Sequence, residues 1–291
     1  STGRAPRAVC SWGVCRMLET LAQMLSYPFL TRALIVGAMV ALCSALLGVN
    51  LVLKRYSMIG DGLSHVGFGA LAVATGLGAA PLAVAIPVVI LAAFLLLRLG
   101  ERSKIKGDAA IALISTGSLA VGVMTISLTI GMNVDVCNYM FGSILAMSKS
   151  DVNLSVALSV VVVILYLVFY GQIFAVTFDE GFARATGVKA GLYNMLLALL
   201  TAVTVVVGMR LMGALLISSL VIFPALTSMR LMRSYRSVIL VSAVLSVVCF
   251  AIGMTVSYLA ATPAGASVVA VNMLAFGIFS AIAFVRERRK T

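Results

Sequence analysis

Long apolar runs separated by short polar stretches repeat along nearly the whole chain. Nine such runs are visible, and each approaches or exceeds the roughly 20 residues that a helix needs to cross a bilayer. Lipid offers no partner for backbone N–H and C=O groups, so each run is predicted to form an α-helix. The predicted fold class is therefore all-α, a polytopic helical membrane protein of about nine spans. The runs are 31–53, 58–77, 81–99, 109–130, 152–174, 192–208, 211–229, 237–260 and 266–285.

The sixth and seventh runs are separated only by Met209 and Arg210. Residues 1–16 lack the apolar core of a signal peptide, and Met17 is a candidate start. Residues 1–19 are predicted to be an N-terminal extension, disordered or non-native. Residues 20–291 are predicted to form a single transmembrane domain. Its cytoplasmic segment 175–191 contains a short helix of its own.

Composition and charge support a membrane location. Of the 291 residues, 62% are hydrophobic and 10% are charged, and the mean hydropathy is +1.16. Most of the 21 Lys and Arg residues fall in alternate connecting stretches, which predicts that those stretches and the C-terminus are cytoplasmic and the N-terminus is outside. The stretches are 53–55, 98–106, 175–191, 230–236 and 286–290. The net charge of +12 is then explained by topology and by attraction to anionic lipid headgroups, and no nucleic-acid role is expected.

The chain has nine acidic residues, and only Asp61 lies inside a predicted span. A lone carboxylate in hydrocarbon costs about 2.5–3.5 kcal/mol on insertion scales, so such residues commonly mark an ion path. His65, the only histidine, follows one helical turn later on the same face. Carboxylate oxygen and imidazole nitrogen together suit manganese, iron(II) or zinc.

Two ligands are too few for a metal site. Backbone carbonyls and water would have to complete it, or a second copy of the chain would supply another Asp and His across a two-fold axis. A simpler interpretation is also open. In it, Asp61 is hydrogen-bonded to its neighbours near the headgroups and His65 is an ordinary packed polar residue.

The stretch FDEGFARATGV, residues 178–188, predicts a short helix on the cytoplasmic face. Asp179 is suited to cap its first turn, and Gly187 is suited to end it in the left-handed conformation. The alternative is a capped helix that merely lies on the membrane surface.

No G-x-x-x-x-G-K-[ST] loop occurs in the sequence, so the chain is predicted not to be an enzyme, and energy from ATP would require a separate ATPase. The alternative to an ATP-driven transporter is a gradient-driven secondary transporter of a small cation or solute, which needs no ATPase. An intramembrane metalloprotease is excluded, since one histidine and one intramembrane acid cannot build its H-E-x-x-H cluster.

Several motifs resemble one known family, in the family's own order. The run LVLKRYSMIGDGLSHVGFGALA, residues 51–72, looks like the signature of the membrane permease subunit of bacterial ABC importers for manganese, zinc and iron. The resemblance extends from about residue 20 to the end. Its other segments are IKGDAAIALISTG (105–117), YMFGSILAMSKSDV (139–152), FDEGFARATGV (178–188), MGALLISSLVIFPALTS (212–228) and TPAGASVVAVN (262–272).

This resemblance implies the type II permease fold, similar to the vitamin-B12 importer, in the bacterial cytoplasmic (inner) membrane. It implies a dimer with a second permease copy or a sister permease, a cytosolic ATPase dimer and an extracytoplasmic metal-binding protein. No cofactor is expected to be bound permanently, because the divalent metal ion is the transported substrate.

The resemblance also assigns roles to particular residues. Asp61 and His65 would coordinate metal in the translocation path, and segment 175–191 would be the coupling segment that docks into the ATPase. In that segment a small residue at Ala183 would allow close approach of the partner, and Phe182 would be an apolar anchor. The full set of expected coupling residues is Asp179, Glu180, Phe182, Ala183 and Gly187.

Overall fold

The computed structural model describes residues 28–56, 58–102, 107–129 and 149–288. All regular elements in those ranges are α-helices, which confirms the predicted all-α fold. The extension predicted over residues 1–19 lies outside the described ranges. The helices are α1 (Pro28–Leu53), α2 (Ile59–Gly76), α3 (Pro81–Arg102), α4 (Gly107–Thr129), α5 (Lys149–Val168), α6 (Tyr170–Phe178), α7 (Glu180–Ala185), α8 (Ala190–Met212), α9 (Ala214–Leu231), α10 (Tyr235–Ala260) and α11 (Ala264–Arg288).

Each of the nine predicted runs overlaps a described helix, and the predicted count of about nine spans is approximate. Among the described helices, six are long and apolar enough to cross a membrane, or seven if the bent pair α5 and α6 forms one span. Helix α3 contributes a further apolar stretch, Pro81–Leu96. Helix α2 stays outside the group because Asp61 and His65 interrupt its apolar sequence. The six are α1, α4, α8, α9, α10 and α11.

The fifth predicted run is bent rather than straight. Helix α5 ends at Val168 and α6 begins at Tyr170, and the two axes differ in direction by 69°. Phe169 occupies the break with φ −96° and ψ 13°. Both sides of the break are apolar, so hydropathy alone gives no sign of the bend.

The boundary between the sixth and seventh runs lies at Gly213, and its prediction at Met209 and Arg210 was wrong. Both of those residues belong to α8, which continues to Met212. Gly213 adopts φ 84° and ψ 160°, a conformation that a residue with a Cβ rarely enters. The chain therefore turns at the glycine and not at the charged residue.

Helix α1 forms the centre of the bundle and packs against α5, α8, α9 and α10. At Gly48 a Cβ atom would lie 2.1 Å from the carbonyl oxygen of Val221, so the backbones of α1 and α9 are in direct contact. Helix α2 packs on the other side of α9 and also contacts α3, α4 and α8. Helices α4 and α11 are mostly exposed in the single chain and present apolar surface outward.

Contacts between distant residues gather several predicted cytoplasmic stretches at one end of the bundle. The Lys54 ammonium group, just after α1, donates to Asn194 Oδ1 near the start of α8. Tyr235, the first residue of α10, and Thr177 near the end of α6 both bond to Asn50 in α1. This grouping agrees with the predicted topology, in which these stretches share one side of the membrane.

Candidate metal site and coupling segment

Asp61 lies in the first turn of α2, and His65 lies one turn later. Helix α2 begins directly after the turn that follows α1, where Arg55 has a positive φ of 62°. The free N–H groups of a first helical turn create a positive potential that favours an anionic side chain there. The helix start therefore provides a suitable position for a carboxylate in a largely apolar bundle.

The two side chains point toward each other without forming a hydrogen bond. His65 Nε2 lies 3.7 Å from Asp61 Oδ2. Two donors that bind one metal ion at about 2.0–2.2 Å each are separated by roughly 3.0–3.8 Å, depending on the angle at the metal. The observed gap is therefore of the size that one shared cation requires.

Both side chains are partly open to the exterior of the chain. The exposed fraction is 24% for the His65 side chain and 41% for the Asp61 side chain. A carboxylate that faced lipid over this area would carry a large desolvation cost. In a membrane this face therefore has to meet water or another protein surface.

Ser218 on α9 contacts the pair, and the sequence analysis missed it. Its Oγ donates to Asp61 Oδ1 at 2.9 Å, across 157 positions of sequence. The only trace in the sequence is a serine within an apolar run, and α9 carries three serines. Of these three serines, Ser218 is the one whose hydroxyl lies within hydrogen-bond distance of Asp61 in the structure.

No group of three or more His, Cys, Asp or Glu side chains that could hold a metal ion occurs in the described part of the chain. Asp61 Oδ2 and His65 Nε2 are thus a partial donor set, with the Ser218 hydroxyl beside it. A transition-metal ion needs about four to six donors. The site is incomplete in the described part of a single chain.

The short helix predicted in segment 175–191 is present as α7, with the expected ends. Asp179 Oδ1 accepts a hydrogen bond from the Phe182 N–H at 2.9 Å, which satisfies a free donor of the first turn. At the other end Gly187 has φ 87°, and the N–H groups of Gly187 and Val188 donate to Arg184 O and Ala183 O. This pattern is a Schellman motif, which fixes where the helix stops.

The two faces of α7 differ. Phe182 is 65% exposed, whereas Ala183 is completely buried and contacts Val176 and Ala190 of the same chain. Ala183 therefore allows α7 to approach its own bundle, and it does not present a surface to a partner. The exposed face also holds the ion pair of Arg184 and Glu180, with an Nη2–Oε1 distance of 2.5 Å.

A buried polar cluster joins α6, which leads into α7, to the centre of the bundle. Asn50 on α1 donates to Tyr166 Oη at 2.9 Å and to Leu46 O at 3.0 Å. Its Oδ1 accepts from Tyr235 Oη at 2.6 Å and from Thr177 Oγ1 at 3.2 Å. The Tyr235 ring also packs on three aromatic rings of α6, those of Tyr170, Phe174 and Phe178.

The bundle of long apolar helices defines a polytopic, helical integral membrane protein. Residues 26–283 match the ABC 3 transport family, and the chain belongs to that family. The match includes Asp61, His65 and the whole of α7. The sequence-based resemblance to metal-type ABC permeases is confirmed.

Individual relatives agree with this assignment along nearly their full lengths. The chain is 30% identical over 263 residues to the high-affinity zinc uptake system membrane protein ZnuB of Haemophilus influenzae, covering 90% of this chain and 99% of that protein. It is 27% identical over 256 residues to the manganese transport system membrane protein MntC of Halalkalibacterium halodurans, covering 88% of each.

A solved structure shares the fold. The structure of PsaBC from Streptococcus pneumoniae in complex with Fab includes a chain that is similar with a TM-score of 0.81 and 28% identity. The similarity covers 90% of this chain and 95% of that one. The polytopic permease architecture expected from the sequence is therefore confirmed.

Proposed function

We propose that the chain is the transmembrane permease subunit of an ATP-driven importer for divalent transition-metal ions in a bacterial inner membrane. The single observation that carries the proposal is the facing pair on α2, with Asp61 Oδ2 and His65 Nε2 separated by 3.7 Å. Oxygen and nitrogen donors suit manganese and zinc, the two metals named for the relatives. Iron(II) has the same ligand preferences and stays within the predicted substrate class.

Each residue of the pair has a distinct role. Asp61 supplies negative charge that offsets part of the dehydration cost of a doubly charged ion, and His65 supplies a neutral nitrogen ligand. A second permease copy or a sister permease faces the exposed side and completes the donor set. A two-fold axis would bring two such pairs together, giving four donors from protein.

Energy comes from a cytosolic ATPase dimer that docks on segment 175–191. Asp179 and Gly187 fix the ends of α7, Ala183 seats it on the bundle, and Phe182 projects from it as the apolar anchor. Glu180 holds Arg184 on the exposed face. ATP-driven closure of the ATPases moves α7 and switches the permease between outward-open and inward-open states.

An extracytoplasmic metal-binding protein delivers the ion to the outer face, and the metal is a substrate rather than a resident cofactor. The alternative of a gradient-driven secondary transporter is disfavoured by membership of the ABC 3 transport family. The lipid bilayer is the remaining partner of the chain.

The proposed roles of Asp61 and His65 in metal binding are tested with Asp61→Asn and His65→Ala in the complete transporter reconstituted in proteoliposomes. We expect each variant to lower manganese(II) or zinc(II) uptake by at least about 10-fold, because Asp61→Asn removes the negative charge that offsets dehydration of the ion and His65→Ala removes the nitrogen ligand. Uptake of radioactive metal measures the effect, and co-purification with the ATPase confirms assembly.

Thr75→Ala is the matched control, since Thr75 is also on α2 and its hydroxyl donates only to Leu71 O of the same helix. We expect uptake by this variant to stay within about twofold of wild type. Normal uptake by both Asp61→Asn and His65→Ala in an assembled transporter would remove the proposed site.

A further inference from the structure

Ser218 on α9 forms a hydrogen bond with Asp61 of the Asp61–His65 pair on α2, so this contact joins two helices. Its hydroxyl carries one hydrogen, and two acceptors are in range: Asp61 Oδ1 at 2.9 Å and Ala214 O at 3.2 Å. A hydrogen bond to a carboxylate is stronger than one to a neutral carbonyl. The single proton is therefore directed to Asp61.

Other hydroxyl groups near this site do not act between helices. Ser64, which precedes His65 on α2, donates to Gly60 O of its own helix at 2.8 Å. Ser219, the neighbour of Ser218, donates to Leu216 O at 2.8 Å, also within its helix. Bonds of this kind are ordinary for serine in membrane helices, whereas Ser218 reaches a charged group 157 residues away.

We propose that Ser218 is a positioning residue for the metal site. It holds Asp61 Oδ1, so that Oδ2 remains directed at His65 Nε2 before the ion arrives. The inference rests on the proposed function, because it assigns a role in the same site.

The physical reason is pre-organisation. The Asp61 side chain is 41% exposed, so without a partner it would rotate among several staggered positions. Fixing it at the moment of metal binding would cost conformational entropy, which weakens binding. The bond from Ser218 has already restricted that rotation in the free protein.

The position of Ser218 depends on the way α9 is held. Helix α9 begins at Ala214 after the turn at Gly213, and its backbone touches α1 at Gly48. Val221, which makes that contact, also faces Gly60, the residue before Asp61. The contacts of Val221 with Gly48 of α1 and Gly60 of α2 thus fix the separation between α9 and α2 across which the Ser218 hydroxyl reaches Asp61.

The test measures the concentration dependence of manganese(II) and zinc(II) uptake by the complete transporter in proteoliposomes. We expect Ser218→Ala to raise the half-saturating metal concentration by about 10-fold, a size typical for loss of a hydrogen bond to a charged group. The maximal rate per assembled complex should stay within about twofold. A merely structural role would instead reduce the amount of assembled complex and leave the half-saturating concentration unchanged.

Two further variants isolate the hydroxyl group. Ser218→Thr keeps it and should retain a half-saturating concentration within about threefold of wild type, whereas Ser218→Val has nearly the same shape without the donor and should behave like Ser218→Ala. Ser219→Ala removes the neighbouring hydroxyl and should behave like wild type. If Ser218→Ala assembles poorly, the comparison of threonine with valine decides the question, with metal binding to the purified complex as a second measurement.

Some outcomes would overturn the inference. Equal half-saturating concentrations for the threonine and valine variants would show that the hydroxyl does not position Asp61. An unchanged half-saturating concentration for Ser218→Ala, together with loss of uptake by Asp61→Asn, would also show that Ser218 does not position Asp61. The proposed metal site would still stand in that case. Normal uptake by Asp61→Asn would instead remove the proposed function itself.

Discussion

Asn50 is the most completely bonded side chain in the buried polar cluster. It lies fully buried on α1, and its amide group makes four hydrogen bonds, three of them to other helices. An asparagine side chain offers two donors and one oxygen that accepts twice, and both donors and the oxygen are engaged, although Thr177 shares its single hydrogen with Ile173 O at 2.6 Å. A polar residue in an apolar run is tolerated here because nothing is left unsatisfied.

We predict that Asn50→Leu destabilises the protein by about 1–3 kcal/mol, because it keeps the approximate volume while removing the interhelical hydrogen bonds of Asn50 with Tyr166, Tyr235 and Thr177. Thermal unfolding in detergent measures the change. Asn272→Leu is the matched control, since Asn272 is also buried but donates only to Val268 O of its own helix. Equal losses of thermal stability in the two variants would contradict a special role for the cluster.

At the scale of elements, α6 and α7 form one connected unit. Helix α6 is turned by 69° from α5 and packs its aromatic residues on Tyr235 of α10, and Asp179 follows it directly as the cap of α7. Helix α7 is therefore linked to α1 and α10 through packed rings and the hydrogen bonds of Asn50. The bend was absent from the sequence prediction, because a change of direction between two apolar segments leaves hydropathy unchanged.

We predict that Phe182→Glu weakens association with the partner ATPase by at least about 10-fold, because an apolar anchor becomes a charge that must be desolvated on docking. Co-purification of the two subunits and metal-coupled ATP hydrolysis measure the loss.

Phe182→Leu keeps an apolar side chain and should retain most of the association. Leu259→Glu provides a second control, since Leu259 is 60% exposed near the far end of α10 and should leave ATPase binding unchanged. Full association of Phe182→Glu would count against docking through α7.

At the scale of the whole molecule, the exposed surface indicates what the chain needs in order to function. The Asp61–His65 pair is partly exposed, and α4 and α11 present apolar faces outward in the single chain. The sequence holds no G-x-x-x-x-G-K-[ST] nucleotide-binding loop, and the proposed function assigns the docking of an ATPase to α7. Under the proposed function, transport depends on assembly with a separate ATPase and a second permease.

We predict that metal uptake by the complete transporter requires ATP hydrolysis and is insensitive to ion gradients. In proteoliposomes, omitting ATP or using an ATPase inactivated in its nucleotide site should reduce uptake to background. Ionophores that collapse proton and sodium gradients should change it by less than about twofold, since the alternating movement is driven through α7. Uptake that follows an imposed gradient without ATP would favour the secondary-transporter alternative.

The sequence alone determined the features that follow from local periodicity and from the cost of polar groups in lipid. Apolar runs gave the helices, spacing of one turn gave the Asp61 and His65 pair, and Asp179 and Gly187 gave the ends of α7. These residues act through neighbours at most a few positions away, so their arrangement can be read directly from the chain.

Only the tertiary structure decided which distant groups meet. It brought Ser218 to Asp61, placed Asn50 among three other helices, and turned Ala183 inward while Phe182 stayed exposed. It also located the turn at Gly213, where backbone conformation rather than charge ends the helix. Such choices depend on the distances between packed helices, and the pattern along one helix contains no information about its neighbours.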